Sequence, residues 1–175
     1  AGLGVVPTSS TINQLSIGDA LAVAALNKKQ IKKKYFKKFH PSGNLGAQLR
    51  TVGEIMSTGK QIPFINENLK MKSAIKIISD KKLGVLIIKN SKNFTVGIIT
   101  DGQIRRSNEK NVNLQLLPVK KIMTKKPMSV DENILAVKAL SIMNEKKITS
   151  LCVHKKKIKN KTIGLVHIHQ ILASN

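Results

Sequence analysis

The sequence is poor in cysteine, aromatic side chains, acidic side chains and long apolar runs. Its 175 residues include one cysteine, Cys152, and aromatic residues make up 3% of the chain, with no tryptophan. One cysteine cannot form an internal disulfide, so we expect a reducing compartment, the cytoplasm. The scarcity of aromatics argues against a stacking platform for single-stranded nucleic acid. No apolar run reaches the roughly 18 residues of a membrane span, and we expect no membrane partner.

The basic residues outnumber the acidic ones, 31 to 9, which gives a formal charge of +22. Such a charge is typical of proteins that bind nucleic acid or anionic membranes. Here 28 of the 31 basic residues are lysine, spread over every segment, whereas nucleic-acid sites favour arginine. We interpret the excess of lysine as a result of codon bias in an A/T-rich genome, and we expect no nucleic-acid partner. The alternative hypothesis, that the chain is a basic nucleic-acid-binding protein, requires a steep salt dependence of its binding to nucleic acid.

From residue 52 onward the chain repeats itself. Three blocks recur in the same order, at offsets of 67, 65 and 67 residues. The blocks 52–57, 80–83 and 96–99 return as 119–124, 145–148 and 163–166. Three matches in one order indicate an internal duplication.

Each repeat follows the same pattern of elements. A short extended segment precedes an amphipathic helix, two apolar strands joined by a polar turn, and a short closing helix. The predicted strands are 85–88 and 95–99 in the first repeat, and 151–153 and 162–166 in the second. Cys152 falls within one of them and is predicted to be a core residue. This β-α-β-β-α order is an α+β unit that cannot bury both faces alone, so we expect the two copies to pack on each other.

The repeat, together with the segment Gly97-Ile98-Ile99-Thr100-Asp101-Gly102-Gln103, resembles a tandem pair of cystathionine-β-synthase (CBS) domains, a regulatory ligand-binding module. Nucleotide-binding members of this family carry the motif Gly-x-x-Thr/Ser-x-x-Asp. In this motif the Thr and a helix N-terminus bind a phosphate, and the Asp accepts hydrogen bonds from a ribose diol. The resemblance implies that Thr100, Gln103, His167 and Gln170 bind a ligand. Alternatively, Thr100 only caps the closing helix and Gln103 faces solvent.

Glutamine stands at both positions where this motif has aspartate, Gln103 and Gln170. The exchange removes the partner of an adenosine ribose and two charges that would repel an anion. We therefore expect a phosphorylated or acidic-sugar effector, such as a nucleotide sugar, rather than AMP or ATP. His167 and His169 share one strand face by their spacing, but no cysteine or carboxylate nearby completes a metal site. We expect no metal and no cofactor.

The N-terminal segments 7–11, 18–22 and 40–46 resemble the end of a sugar isomerase (SIS) domain, in the order found before the CBS pair of D-arabinose-5-phosphate isomerases. Those enzymes interconvert D-ribulose 5-phosphate and D-arabinose 5-phosphate for the Kdo of bacterial lipopolysaccharide. The resemblance implies that His40 is catalytic, moving protons on the sugar. Alternatively, His40 fixes the turn before Pro41. The Ala-rich pattern over residues 15–26 predicts a buried, closely packed helix.

The predicted fold is therefore α+β: a tandem CBS pair preceded by the helical C-terminal remnant of an α/β SIS domain. We expect domains at 1–49 (SIS remnant), 50–114 (first CBS domain) and 115–175 (second CBS domain), with the chain beginning inside a domain. The parent enzyme is expected to be a homo-oligomer that acts on a sugar phosphate. This piece, inactive by itself, would sense a metabolite and help oligomers assemble. The alternative is a stand-alone CBS-pair protein that binds a ligand without catalysis.

Overall fold

The computed structural model describes residues 7–30, 49–109, 113–156, 158 and 160–174. The chain divides into two compact units, 1–49 and 50–175. In the first unit, helix α1 (Ser9–Lys28) is exposed along its whole length, so the prediction of a buried helix is wrong. The helix needs a second element to bury its apolar side chains, and the described residues of this unit supply only α1. No helix in the described part of the chain is long and apolar enough to span a membrane.

The second unit contains both repeats, and its mixture of helices and strands confirms the α+β class. The first repeat contains α2 (Val52–Ile55), β1 (Ser57–Thr58), β2 (Phe64–Asn66), α3 (Met71–Lys81), β3 (Val85–Lys89), β4 (Thr95–Thr100) and α4 (Asp101–Asn108). The second contains β5 (Thr124–Lys125), β6 (Ser129–Asp131), α5 (Ala136–Lys146), β7 (Ser150–His154), β8 (Gly164–His167) and α6 (Ile168–Leu172). Three short 3-10 turns, Gly59–Gln61, Leu114–Leu116 and Val119–Lys121, complete the described elements.

The two sheets exchange an edge strand. One sheet has the order β2-β3-β4-β5 and the other β1-β8-β7-β6, so each ends in a strand from the opposite repeat. The exchanges are equivalent: Thr124 of β5 lies opposite Ile98, and Ser57 of β1 lies opposite Leu165. Within each repeat the first pair of strands is parallel and the second antiparallel. Each repeat therefore completes the other's backbone hydrogen bonding.

A methionine covers each exchanged edge, and a glycine makes room for it. A Cβ atom on Gly97 would lie 2.8 Å from Cγ of Met123, and one on Gly164 would lie 2.9 Å from Cγ of Met56. The sulfur atoms of both methionines would be closer still. A side chain at either glycine would therefore force the methionine to move. In each of the two contacts, the methionine block of one repeat thus meets the glycine block of the other repeat.

The strands bury both of their faces. Leu86 and Ile88 of β3 point into a core shared with α3, while Val85 and Ile87 point toward the other sheet. Cys152 and Leu165 of the second repeat join that inter-sheet core, and Cys152 is 1% exposed. Alternation along a strand explains why neighbouring residues serve different cores. The two copies pack on each other, and Cys152 is a core residue, as the sequence predicted.

Candidate functional site

A cleft of about 680 Å³ lies between the two repeats. The first repeat contributes the start of α4, residues 100–103. The second contributes Thr124 of β5, the segment 126–128 that follows this strand, and the segment 147–150, which ends at the first residue of β7. The volume is within the roughly 300–1,000 Å³ typical of sites for small molecules.

The start of α4 forms one wall of this cleft. Thr100 is the N-cap residue, and its N–H donates a hydrogen bond to Oε1 of Gln103 at 3.0 Å in a capping box. The N–H of Asp101 donates to the carbonyl oxygen of Gly84 at 3.1 Å. Backbone N–H groups in the first turn of a helix carry partial positive charge, which favours an anion there. Thr100 thus has the capping role that the alternative interpretation gave it, at a position that also faces the cleft.

Both predicted glutamines link the two repeats. Gln103 Nε2 donates to Thr124 Oγ1 at 2.6 Å, and Gln170 Nε2 donates to Ser57 Oγ at 2.9 Å. Gln170 Oε1 also accepts the N–H of His167 at 2.8 Å, as Gln103 does for Thr100. Each amide therefore closes a helix cap with its oxygen and holds the exchanged strand with its nitrogen. We call the Gln103–Thr124 and Gln170–Ser57 contacts the glutamine bridges.

His167 caps α6 with its ring. Its Nδ1 accepts the N–H of His169 at 3.3 Å, and the two ring centroids lie 5.0 Å apart. Burial, and then the neighbouring His169, lower the pKa of His167 from its ordinary value. The neutral ring is the form that accepts this bond, so the cap and the lowered pKa agree. No cluster of three or more metal-binding side chains occurs among the described residues.

The charge of the cleft wall is mostly positive. Arg106, Lys126 and Lys147 line it, and Asp101 is the one acidic side chain among the described residues of the lining. Lys147 ends α5 with φ at +52°, a left-handed conformation more common for glycine. Three cations near a helix N-terminus make this cleft suited to a phosphate or a carboxylate.

The structure brings Thr100, Gln103 and His167 together in the cleft wall. Gln170 is absent from the described residues that line the cleft, and His40 lies outside the described residues. Three further residues line the cleft without a site role predicted from the sequence: Lys126, Lys147 and Ser150. Aligning the repeats at an offset of 65 would have singled out Ser150, because it replaces the apolar Val85.

Comparison with known proteins gives matches to both the repeats and the whole chain. The model of the CBS domain matches residues 52–109 and again 119–174. The arabinose 5-phosphate isomerase KdsD of Escherichia coli is 36% identical over 171 residues, 97% of this chain and 51% of that protein, in its C-terminal part. An uncharacterized protein of Rickettsia prowazekii is 34% identical over 173 residues, 99% of this chain and 53% of that protein. The chain spans about half the length of the curated relatives it matches.

A solved structure shares the fold of the paired repeats. The CBS domain protein of Pyrobaculum aerophilum complexed with AMP superposes with a TM-score of 0.62 at 15% identity. The match covers 69% of this chain and 89% of that protein. At this identity the likeness concerns the arrangement of the backbone.

Proposed function

Because the chain belongs to the CBS-domain family, we propose that its paired repeats bind a small anionic metabolite in the cleft and so regulate a D-arabinose-5-phosphate isomerase of which they are part. The observation that carries the proposal is the cleft itself. It joins the first turn of α4 to three cationic side chains from both repeats. A ligand held by residues of both repeats stabilises one arrangement of the pair, and a preference for one arrangement is what a regulatory module needs.

The proposed effector is a phosphorylated or acidic sugar, with nucleotide sugars included. Arg106, Lys126 and Lys147 would hold its anionic group. The Gln103 bridge already engages the oxygen and one N–H of that amide. An uncharged amide also lacks the charge and the geometry with which a carboxylate binds a ribose diol. The Pyrobaculum protein was solved with AMP, which makes adenosine nucleotides the necessary comparison.

The proposed parent enzyme interconverts D-ribulose 5-phosphate and D-arabinose 5-phosphate. Identity of 36% across 97% of this chain to the E. coli isomerase supports this assignment. We retain the proposed domains 1–49 (SIS remnant), 50–114 and 115–175, and His40 as the catalytic residue. The parent is proposed to act in the cytoplasm as a homo-oligomer, for lipopolysaccharide synthesis. Measuring the isomerase activity of the full-length parent tests this assignment against a CBS pair without catalysis.

Calorimetric titration tests the binding proposal. The chain is titrated at physiological salt with CMP-Kdo, D-arabinose 5-phosphate, AMP and ATP. We expect binding of an acidic or phosphorylated sugar. Binding should be about 10- to 150-fold weaker in Lys147→Gln, because a charge-assisted hydrogen bond contributes about 1.5–3 kcal/mol. Lys138→Gln, an exposed lysine outside the cleft wall, is the matched control and should bind like wild type. Binding of AMP alone would reject the acidic-sugar assignment, and binding of none would reject the effector site.

A further inference from the structure

Ser150 has a buried hydroxyl that no described residue satisfies. It is the first residue of β7 and is 9% exposed. Its Oγ has no hydrogen-bond partner among the residues that the structure describes. Alternation places Ser150 on the same face of β7 as Cys152, the face that packs toward the other sheet. Ser150 also belongs to the wall of the cleft.

The duplication shows what the fold itself needs at this position. The equivalent residue of the first repeat is Val85, the first residue of β3, which is 2% exposed and packs in the inter-sheet core. An apolar side chain therefore suits this place in the fold. A buried hydroxyl without a partner is destabilising, because its hydrogen bonds to water are lost and none replace them. The serine reduces stability unless something in the cleft bonds to it.

We propose that Ser150 is a specificity-determining residue of the cleft, whose hydroxyl bonds to the uncharged part of a phosphorylated nucleoside or sugar. The hydroxyl both donates and accepts, so a sugar hydroxyl or a ring heteroatom of the ligand satisfies it. The cationic side chains Arg106, Lys126 and Lys147 hold the anionic group of the same ligand. This inference rests on the proposed function of the cleft. It adds the Ser150 hydroxyl as the group that forms a hydrogen bond to the uncharged part of the ligand.

The test compares Ser150→Val and Ser150→Ala with Ser141→Ala, a matched change at an exposed serine outside the cleft wall. Each variant is titrated with AMP, D-arabinose 5-phosphate and CMP-Kdo, which separates a nucleoside from a sugar as the bound portion. For any probe that wild type binds, we expect about tenfold weaker binding in both Ser150 variants. Their urea midpoints should equal or exceed that of wild type, and Ser141→Ala should change neither quantity.

The combination of weaker binding and undiminished stability is the signature of a residue kept for a ligand. Wild-type affinity in Ser150→Val would overturn the role of Ser150 and leave the cleft's proposed function intact. Lower urea midpoints in both Ser150 variants would show that the hydroxyl is structural, which also overturns the inference. If wild type binds none of the three probes, both the inference and the proposed effector site fail.

Discussion

The glutamine bridge between Gln103 and Thr124 can be measured as a coupling energy. Gln103→Ala removes the amide that caps α4 and holds β5, so two hydrogen bonds of 3.0 and 2.6 Å are lost. At about 0.5–1.5 kcal/mol each, the single variant should lose about 1–3 kcal/mol of unfolding free energy. Thr124→Val removes only the bridge and should lose about 0.5–1.5 kcal/mol. In the double variant the bridge can be lost only once, so the two losses should overlap by about 1 kcal/mol.

Urea unfolding of the four proteins in this double-mutant cycle measures the overlap. The second bridge provides a replicate within the same molecule, with Gln170→Ala and Ser57→Ala. Ser57 is buried whereas Thr124 is exposed, so the second coupling should equal or exceed the first, because water competes less there.

A matched control comes from another pair that joins the repeats. Lys120 Nζ donates to Asn68 Oδ1 at 3.2 Å on the exposed surface. The cycle of Lys120→Met and Asn68→Ala should show little coupling, since solvent replaces an exposed bond. Additive losses at both glutamine bridges, within about 0.3 kcal/mol, would refute the view that these amides hold the exchanged strands.

Two further predictions concern single residues. Gly97→Ala should lower the unfolding free energy by about 1–3 kcal/mol in urea titrations, because the new Cβ collides with Met123. Gly102→Ala should change it by less than about 0.5 kcal/mol, because the new Cβ would lie 3.4 Å from the flexible end of Arg106 and 3.9 Å from Thr100 Oγ1. An equal loss in both variants would contradict the close approach at Gly97. The lowered pKa of His167 means that its contribution to stability is complete above a pH of about 6.5 and is lost as the pH falls through the folded-state pKa. The urea midpoint should therefore fall less between about pH 7.5 and 5 in His167→Thr than in wild type, and parallel curves would exclude His167 as a source of the dependence.

The sequence predicts the repeated elements because their signals are long and periodic. The apolar strands and amphipathic helices each span several residues, and the duplication gives every pattern twice. The exchanged strands β1 and β5 have two residues each, Ser57–Thr58 and Thr124–Lys125. Two polar residues carry no alternation by which a strand is recognised, so the exchange could be found only in three dimensions.

Three of the four residues predicted to bind a ligand line one cleft for a similar reason. Thr100, Gln103 and His167 stand at fixed places in a motif, and the structure brings them to one cleft. Lys126 and Lys147 are 2 of 28 lysines, so neither carries a signal of its own. Lys126 lies just before β6, and Lys147 lies just after α5. Both reach the cleft because of how these elements pack, and packing cannot be read from the local sequence.

The exchange of edge strands has a consequence for how this gene can change. A stop codon or a recombination breakpoint between the repeats would leave β4 without β5, and its free N–H and C=O groups would be open to pairing with another molecule. The opposite truncation would leave β8 without β1. Either truncated protein would expose an unpaired strand edge and would tend to aggregate. We therefore expect the two repeats to be inherited or lost together, as one unit.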